Sequence, residues 1–121
     1  MLFVQADLQE IKAIYRIKVT GTSNSAWVYV VTSFTLAYGF DDTAAQYRDV
    51  IDVDGLTATF HGSTAVGEMV DHQFHSPIIA RYVILYPKSW NTRIALNWGL
   101  FGCTYGGCLR LCLQLRYRTY M

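Results

Sequence analysis

The sequence predicts an all-β domain, a sandwich or barrel of strands, and three observations carry that expectation. β-branched and aromatic residues gather in runs, the longest from Val28 to Tyr38. Apolar and polar residues alternate from Ile11 to Val19. Clusters of Gly, Ser, Asn and Asp separate these segments, as turns do between strands.

Taken in order, Ile11, Ala13, Tyr15, Ile17 and Val19 are expected on one face, with Lys12, Arg16, Lys18 and Thr20 on the other. That is a half-buried strand. Gly21 to Trp27 (GTSNSAW) reads as a loop, and Trp27 either projects from it or turns inward as the first core residue of the next strand. Val28 to Tyr38 forms that strand, and Asp41-Asp42 breaks it. Gln46 to Val50 suits a short strand, Asp52-Val53-Asp54-Gly55 a turn, and Thr57 to Phe60 an extended segment. Val70 to Phe74 leads into Ser76 to Cys103, which holds two strands. The first, Arg81 to Tyr86, is expected to stop at Pro87, which has no N–H for a sheet ladder. A polar connection, Lys88 to Thr92, follows, then an apolar run from Arg93 to Phe101 that suits a strand covered on both faces. In that connection Trp90 either plugs the end of a barrel or stands out to meet a ligand.

Composition narrows the function classes. The 121 residues suffice for one domain with a core, 52% are hydrophobic, and only 16% are charged, so the chain is not of the disordered class. A net charge of +1 supplies no field for nucleic acid or for long-range attraction to anionic membranes. No apolar stretch is long enough for a transmembrane helix, and Asp7, Glu10 and Lys12 interrupt any signal-peptide core.

No phosphate-binding loop, His-Glu-x-x-His helix or nucleophile elbow occurs, so an enzyme and a cofactor are not expected. His72 and His75 with Asp71 are read as solvated polar residues in preference to metal ligands. Asp49, Asp52 and Asp54 match part of a calcium loop but lack its closing acid, and a plain hairpin turn is preferred. Arg81, set among apolar residues, needs a carboxylate such as Asp7. Cys103, Cys108 and Cys112 do not complete a zinc cage. Beyond Cys103, a turn at Tyr105-Gly106-Gly107 precedes Leu109, Leu111, Leu113 and Leu115. These alternate with Arg110, Cys112, Gln114 and Arg116, so a strand here has one greasy and one basic face.

Several pieces carry a resemblance. Pro77-Ile78, Ala80-Arg81-Tyr82, Pro87-Lys88-Ser89-Trp90, Ile94-Ala95-Leu96 and Gly102-Cys103 occur in the order of the C-terminal signature of the discoidin domain, also called the coagulation factor type C domain. FVQADL, Phe3 to Leu8, resembles an early strand of that family. The sequence departs from the pattern at Ile84, Asn97 and Gly99, where the family often carries charges. The resemblance implies a galactose-binding-like jelly roll over residues 1–103, lacking an N-terminal part, with 104–121 an extension. That extension either adds to a sheet edge, packs where the absent strands would lie, or is unfolded.

The resemblance further implies an extracellular, non-catalytic module in adhesion or surface recognition. Its ligand would be a membrane phospholipid, a glycan, or a cell-surface or matrix protein, with a carbohydrate-binding module of a larger enzyme or a degenerate fragment as alternatives. It nominates Asn24, Ser25, Ala26 and Trp27 as a projecting loop, Asp52, Val53 and Asp54 as a second loop, and Trp90, Asn91 and Thr92 as the lip of the pocket. Asp7, Arg81 and Cys103 would be structural. In the family the cysteine matching Cys103 bridges to one near the domain's start, and this chain has no cysteine before Cys103.

Overall fold

Seven strands make up the fold among the described residues. They are β1 (Val4–Ser23), β2 (Val28–Gly39), β3 (Arg48–Asp49), β4 (Phe60–His61), β5 (Met69–Asn91), β6 (Ala95–Thr104) and β7 (Cys112–Tyr120). The computed structural model describes residues 3–23, 28–41, 46–65, 67–91, 94–104 and 112–120, with the backbone alone at 22–23, 28–29 and 112–120. All strand pairs are antiparallel, in the order β3-β2-β5-β1-β6-β7, with β4 beside β2. A further pairing, Thr22 opposite Tyr29 and Ser23 opposite Val28, joins β2 back to β1 and curls the sheet on itself. This is the jelly-roll architecture expected from the sequence.

The long β5 organises the sheet. Its first half lies against β1, from Met69 opposite Thr20 to Ala80 opposite Lys12, and its second half against β2, from Tyr82 opposite Gly39 to Asn91 opposite Val30. Because β1 and β2 meet at their hairpin, both ends of β5 return to that same end of the molecule. Twenty-three residues in one strand can do this only by bending, and the ladders break register where bends are needed. Breaks fall at Asp7/Lys12 and Ile14/Arg16 against β1, and at Val31/Ser33 and Ser33/Phe34 against β2.

These irregularities correct two sequence expectations. β5 does not stop at Pro87 but continues through Lys88, Ser89, Trp90 and Asn91. Beyond Leu85 it has β2 on one side and no β1 partner on the other, and Pro87 sits at a register shift. Both circumstances tolerate a residue without an N–H. The alternation expected from Ile11 onward also fails at its start. Ile11 is exposed, whereas Lys12 is buried with its Nζ 2.8 Å from Glu10 Oε1. The cause is the bulge before it, where Gln9 takes a left-handed φ of 71° and the ladder slips. A second slip at Tyr15 lets both Ile14 and Ile17 point into the core, and regular alternation resumes with Val19.

The core joins Ile14, Ile17 and Val19 of β1 to Val31, Phe34 and Leu36 of β2, Val83 and Leu85 of β5, and Leu96, Trp98 and Leu100 of β6. β6 is buried on both faces, as its apolar run predicts. β7 adds to its outer edge without a register break, Ala95 opposite Tyr120 through Cys103 opposite Cys112. Cys103 is disulfide-bonded. The only other cysteines, Cys108 and Cys112, both follow it.

Candidate functional site

The bent path of β5 gathers three segments at the hairpin end. These are the approach to the β1–β2 hairpin, the loop from Gly62 to Met69, and the last residues of β5 with Trp90 and Asn91.

The Gly62–Met69 loop is fastened from within. The Gly62 N–H donates to Thr32 O at 2.8 Å, and a Cβ on Gly62 would lie 1.9 Å from Val31 O, so only glycine lets the chain pass so close to β2. Ser63 is buried, its hydroxyl 2.9 Å from Glu68 O and 3.4 Å from Val19 O. The Glu68 carboxylate accepts from the Thr64 N–H at 3.3 Å and from its hydroxyl at 3.0 Å. Gly67 supplies the positive φ, 79°, that turns the chain toward β5. Met69, just past this loop, is 59% exposed.

Trp90 is held by its neighbours in the ladder. Ser89 Oγ lies 2.5 Å from Thr32 Oγ1 and 2.6 Å from Ser33 Oγ, and the next residue, Trp90, pairs with Val31. Trp90 is 40% exposed and Asn91 beside it is exposed, so of the two placements open from the sequence Trp90 takes the outward one. Asn24, Ser25, Ala26 and Trp27, and Thr92, lie outside the described residues. Met69 and the fastened loop carry no assignment from sequence reasoning. The signal that finds them is the pair Gly62 and Gly67, bracketing Ser63 to Val66 and followed by Glu68 and Met69.

The Asp52–Asp54 turn is rooted elsewhere. Val50 N donates to Leu36 O, five residues along β2 from Val31, or about 17 Å. Asp52 Oδ1 accepts from the N–H groups of Asp54 at 2.9 Å and Leu56 at 3.1 Å, so this carboxylate caps its own turn. Gly55 carries the left-handed φ, 81°. Val53 at the tip is 78% exposed.

Arg81 and Asp7 pair across β5 and β1, Nε to Oδ1 at 2.9 Å and Nη2 to Oδ2 at 3.1 Å. Asp7 also accepts from the Gln9 N–H at 2.8 Å. The hydrogen bonds from Arg81 and then Gln9 hold the Asp7 carboxyl below its ordinary pKa, and they fix the β1 bulge. His72 Nε2 lies 2.7 Å from His61 O, with its ring edge against Phe60. It is a packed residue beneath β4. A groove of about 710 Å³ lies at the far end of β2, lined by Tyr38, Phe40, Tyr47, Arg48 and Pro77.

Comparison with known proteins agrees with this architecture. The F5/8 type C domain model matches residues 2–100. The chain is 34% identical over 102 residues to coagulation factor V of Bos taurus and 34% identical over 107 residues to contactin-associated protein 1 of Homo sapiens. It is 31% identical over 102 residues to the non-catalytic subunit of the venom prothrombin activator omicarin-C of Oxyuranus microlepidotus. These matches take in 84–85% of the chain but only 4–7% of the relatives' own lengths. Discoidin II of Dictyostelium discoideum superposes with a TM-score of 0.68 at 24% identity, over 83% of this chain and 36% of that one. With the family model spanning most of the strands and relatives above 30% identity, the chain belongs to the F5/8 type C, or discoidin, domain family.

Proposed function

We propose that this domain is an extracellular, non-catalytic recognition module that seats its hairpin end on a phospholipid surface. The observation that carries the reading is the exposure of Trp90 and Met69 at the one end to which both ends of β5 return. An indole and a thioether held outward by rigid strands suit the boundary between head groups and acyl chains, where an amphipathic ring is most stable. Asn91, together with Asn24 to Trp27 and Thr92 by their places in the chain, belongs to this contact. Asp52, Val53 and Asp54 form a second one through the exposed Val53. Similarity to a subunit named as non-catalytic supports binding over chemistry, and the Cys103 disulfide supports an oxidising compartment.

Cosedimentation with vesicles of phosphatidylserine in phosphatidylcholine tests the proposal. Trp90→Ala is expected to weaken binding about tenfold or more, from loss of the indole's transfer out of water. Retained vesicle binding in that variant would contradict it. So would a chain that ignores vesicles and binds neutral sugars on a glycan array in a Trp90-dependent way.

A further inference from the structure

The outer face of the β2–β5 pair holds a cleft of about 350 Å³, lined by Thr35, Asp49, Thr57, Tyr86 and Lys88. Phe34 and Leu36 of β2 and Leu85 of β5 belong to the core, so their chain neighbours Thr35 and Tyr86 take the opposite face. The register agrees. Thr35 stands opposite Tyr86, and Asp49 of β3 stands opposite Ala37, two residues along β2 from Thr35 and therefore on the same face. The cleft shares no residue with the hairpin-end contact or with the Asp52–Asp54 turn.

The groups around it are polar and only partly satisfied. Thr35 is 7% exposed, yet its hydroxyl has no hydrogen-bond partner among the described residues. A buried hydroxyl in that state is costly unless something that enters the cleft can bond it. Asp49 and Lys88 bring opposite charges to the same space, and neither forms an ion pair with a described residue. Asp49 Oδ2 accepts from the Thr57 hydroxyl at 3.3 Å, and Lys88 Nζ lies 5.7 Å from the centroid of the Tyr86 ring, which tilts against Phe3 at 6.0 Å. These contacts orient the two charged groups and neutralise neither.

We propose that this cleft binds a small zwitterion, a molecule that carries an ammonium and a carboxylate on one compact skeleton, as an α-amino acid does. Asp49 receives the ammonium through the oxygen that Thr57 leaves unengaged, and Lys88 receives the carboxylate. The Thr35 hydroxyl can donate to one end or accept from the other. The volume stands near the lower limit of small-ligand pockets, which suits a molecule of this size. A ligand with a single charge leaves one of the two protein charges unanswered. A neutral sugar offers hydroxyls to both and a counter-charge to neither.

Amide NMR of the full chain, titrated with L-alanine, tests the proposal. Saturable shifts are expected at Thr35, Thr57 and Tyr86 at about millimolar ligand, the range open to so few contacting atoms. Lactate and isopropylamine, which keep the alanine skeleton with one charge each, should bind roughly tenfold more weakly. Asp49→Asn and Lys88→Gln should each weaken alanine binding by roughly tenfold as well. Thr35→Val should weaken it by about fivefold while the urea midpoint stays at or above that of the wild type, because the hydroxyl it removes has no partner to lose. Should Asp49→Asn lose cooperative unfolding, Lys88→Gln decides by the same criterion. Alanine shifts that are absent or confined to other residues would overturn the proposal, as would equal binding of lactate or isopropylamine. Tighter binding of methyl glucoside than of alanine, or a lowered midpoint in Thr35→Val, would overturn it too.

Discussion

Replacing Phe34 by alanine should lower the free energy of unfolding by about 3–5 kcal/mol, as for other large buried aromatics. Phe34 has no exposed surface. Its ring stacks on Phe60 at 5.4 Å and meets His72 edge-on at 6.2 Å, and Phe60 in turn meets Phe74 at 6.0 Å. One ring thereby ties β2, β4 and the first half of β5 together, with Phe34 and Phe60 also opposite each other in the ladder. Its removal leaves a cavity among rings contributed by β2, β4 and β5, whose backbones are held by their ladders to β2 and β1. Urea unfolding followed by circular dichroism measures the loss, and a change under about 1.5 kcal/mol, the range of a well-tolerated core swap, would contradict this packing.

Gly62→Ala should cost about 3 kcal/mol, at the upper end of what overpacking costs, although it adds a single methyl group. The added Cβ would lie 1.9 Å from the Val31 carbonyl oxygen and 2.8 Å from its carbon, and both are backbone atoms of a central strand. Neither can step aside as the tip of a flexible side chain could. Relief requires the chain to move off β2, breaking the Gly62 to Thr32 hydrogen bond and loosening the loop that Ser63 pins to Val19. The same substitution should weaken vesicle binding, since this loop and Trp90 share the Val31–Thr32–Ser33 segment as their support. At Gly55, where a Cβ meets nothing within 4 Å, the demand is only for the left-handed φ. A Gly62→Ala chain with wild-type stability would show that β2 and the loop are further apart than described.

The strands were legible because burial imposes a period. The two-sided apolar run of β6 and the β-branched run of β2 announce themselves. What stayed hidden are the places where register slips, since a bulge changes which face a residue takes without changing its type. Gln9 gives no sign of adopting a left-handed φ, so the exposure of Ile11 and burial of Lys12 follow from geometry alone. Pro87 reads as a stop because its tolerance depends on an absent neighbour on one side of β5, a fact of topology. At the site, the outward Trp90 was one of two readings from sequence. The convergence of Met69 with it depends on β5 being one bent strand, where the sequence suggests separate pieces. The pairing of Asp7 with Arg81 was readable, because a guanidinium among apolar residues needs a nearby carboxylate.

The most direct test of the central claim is quenching of tryptophan emission by brominated phospholipid in phosphatidylserine vesicles, compared between the parent chain and Trp90→Phe. Both chains carry Trp27→Phe, which removes the other tryptophan of the proposed contact, and Trp98 is sealed in the core and out of reach. If the hairpin end enters the bilayer boundary, emission of the bound parent chain falls strongly, and that fall shrinks in Trp90→Phe although the variant still binds. Equal quenching in the two bound proteins, or none in either, would mean that Trp90 does not meet the membrane.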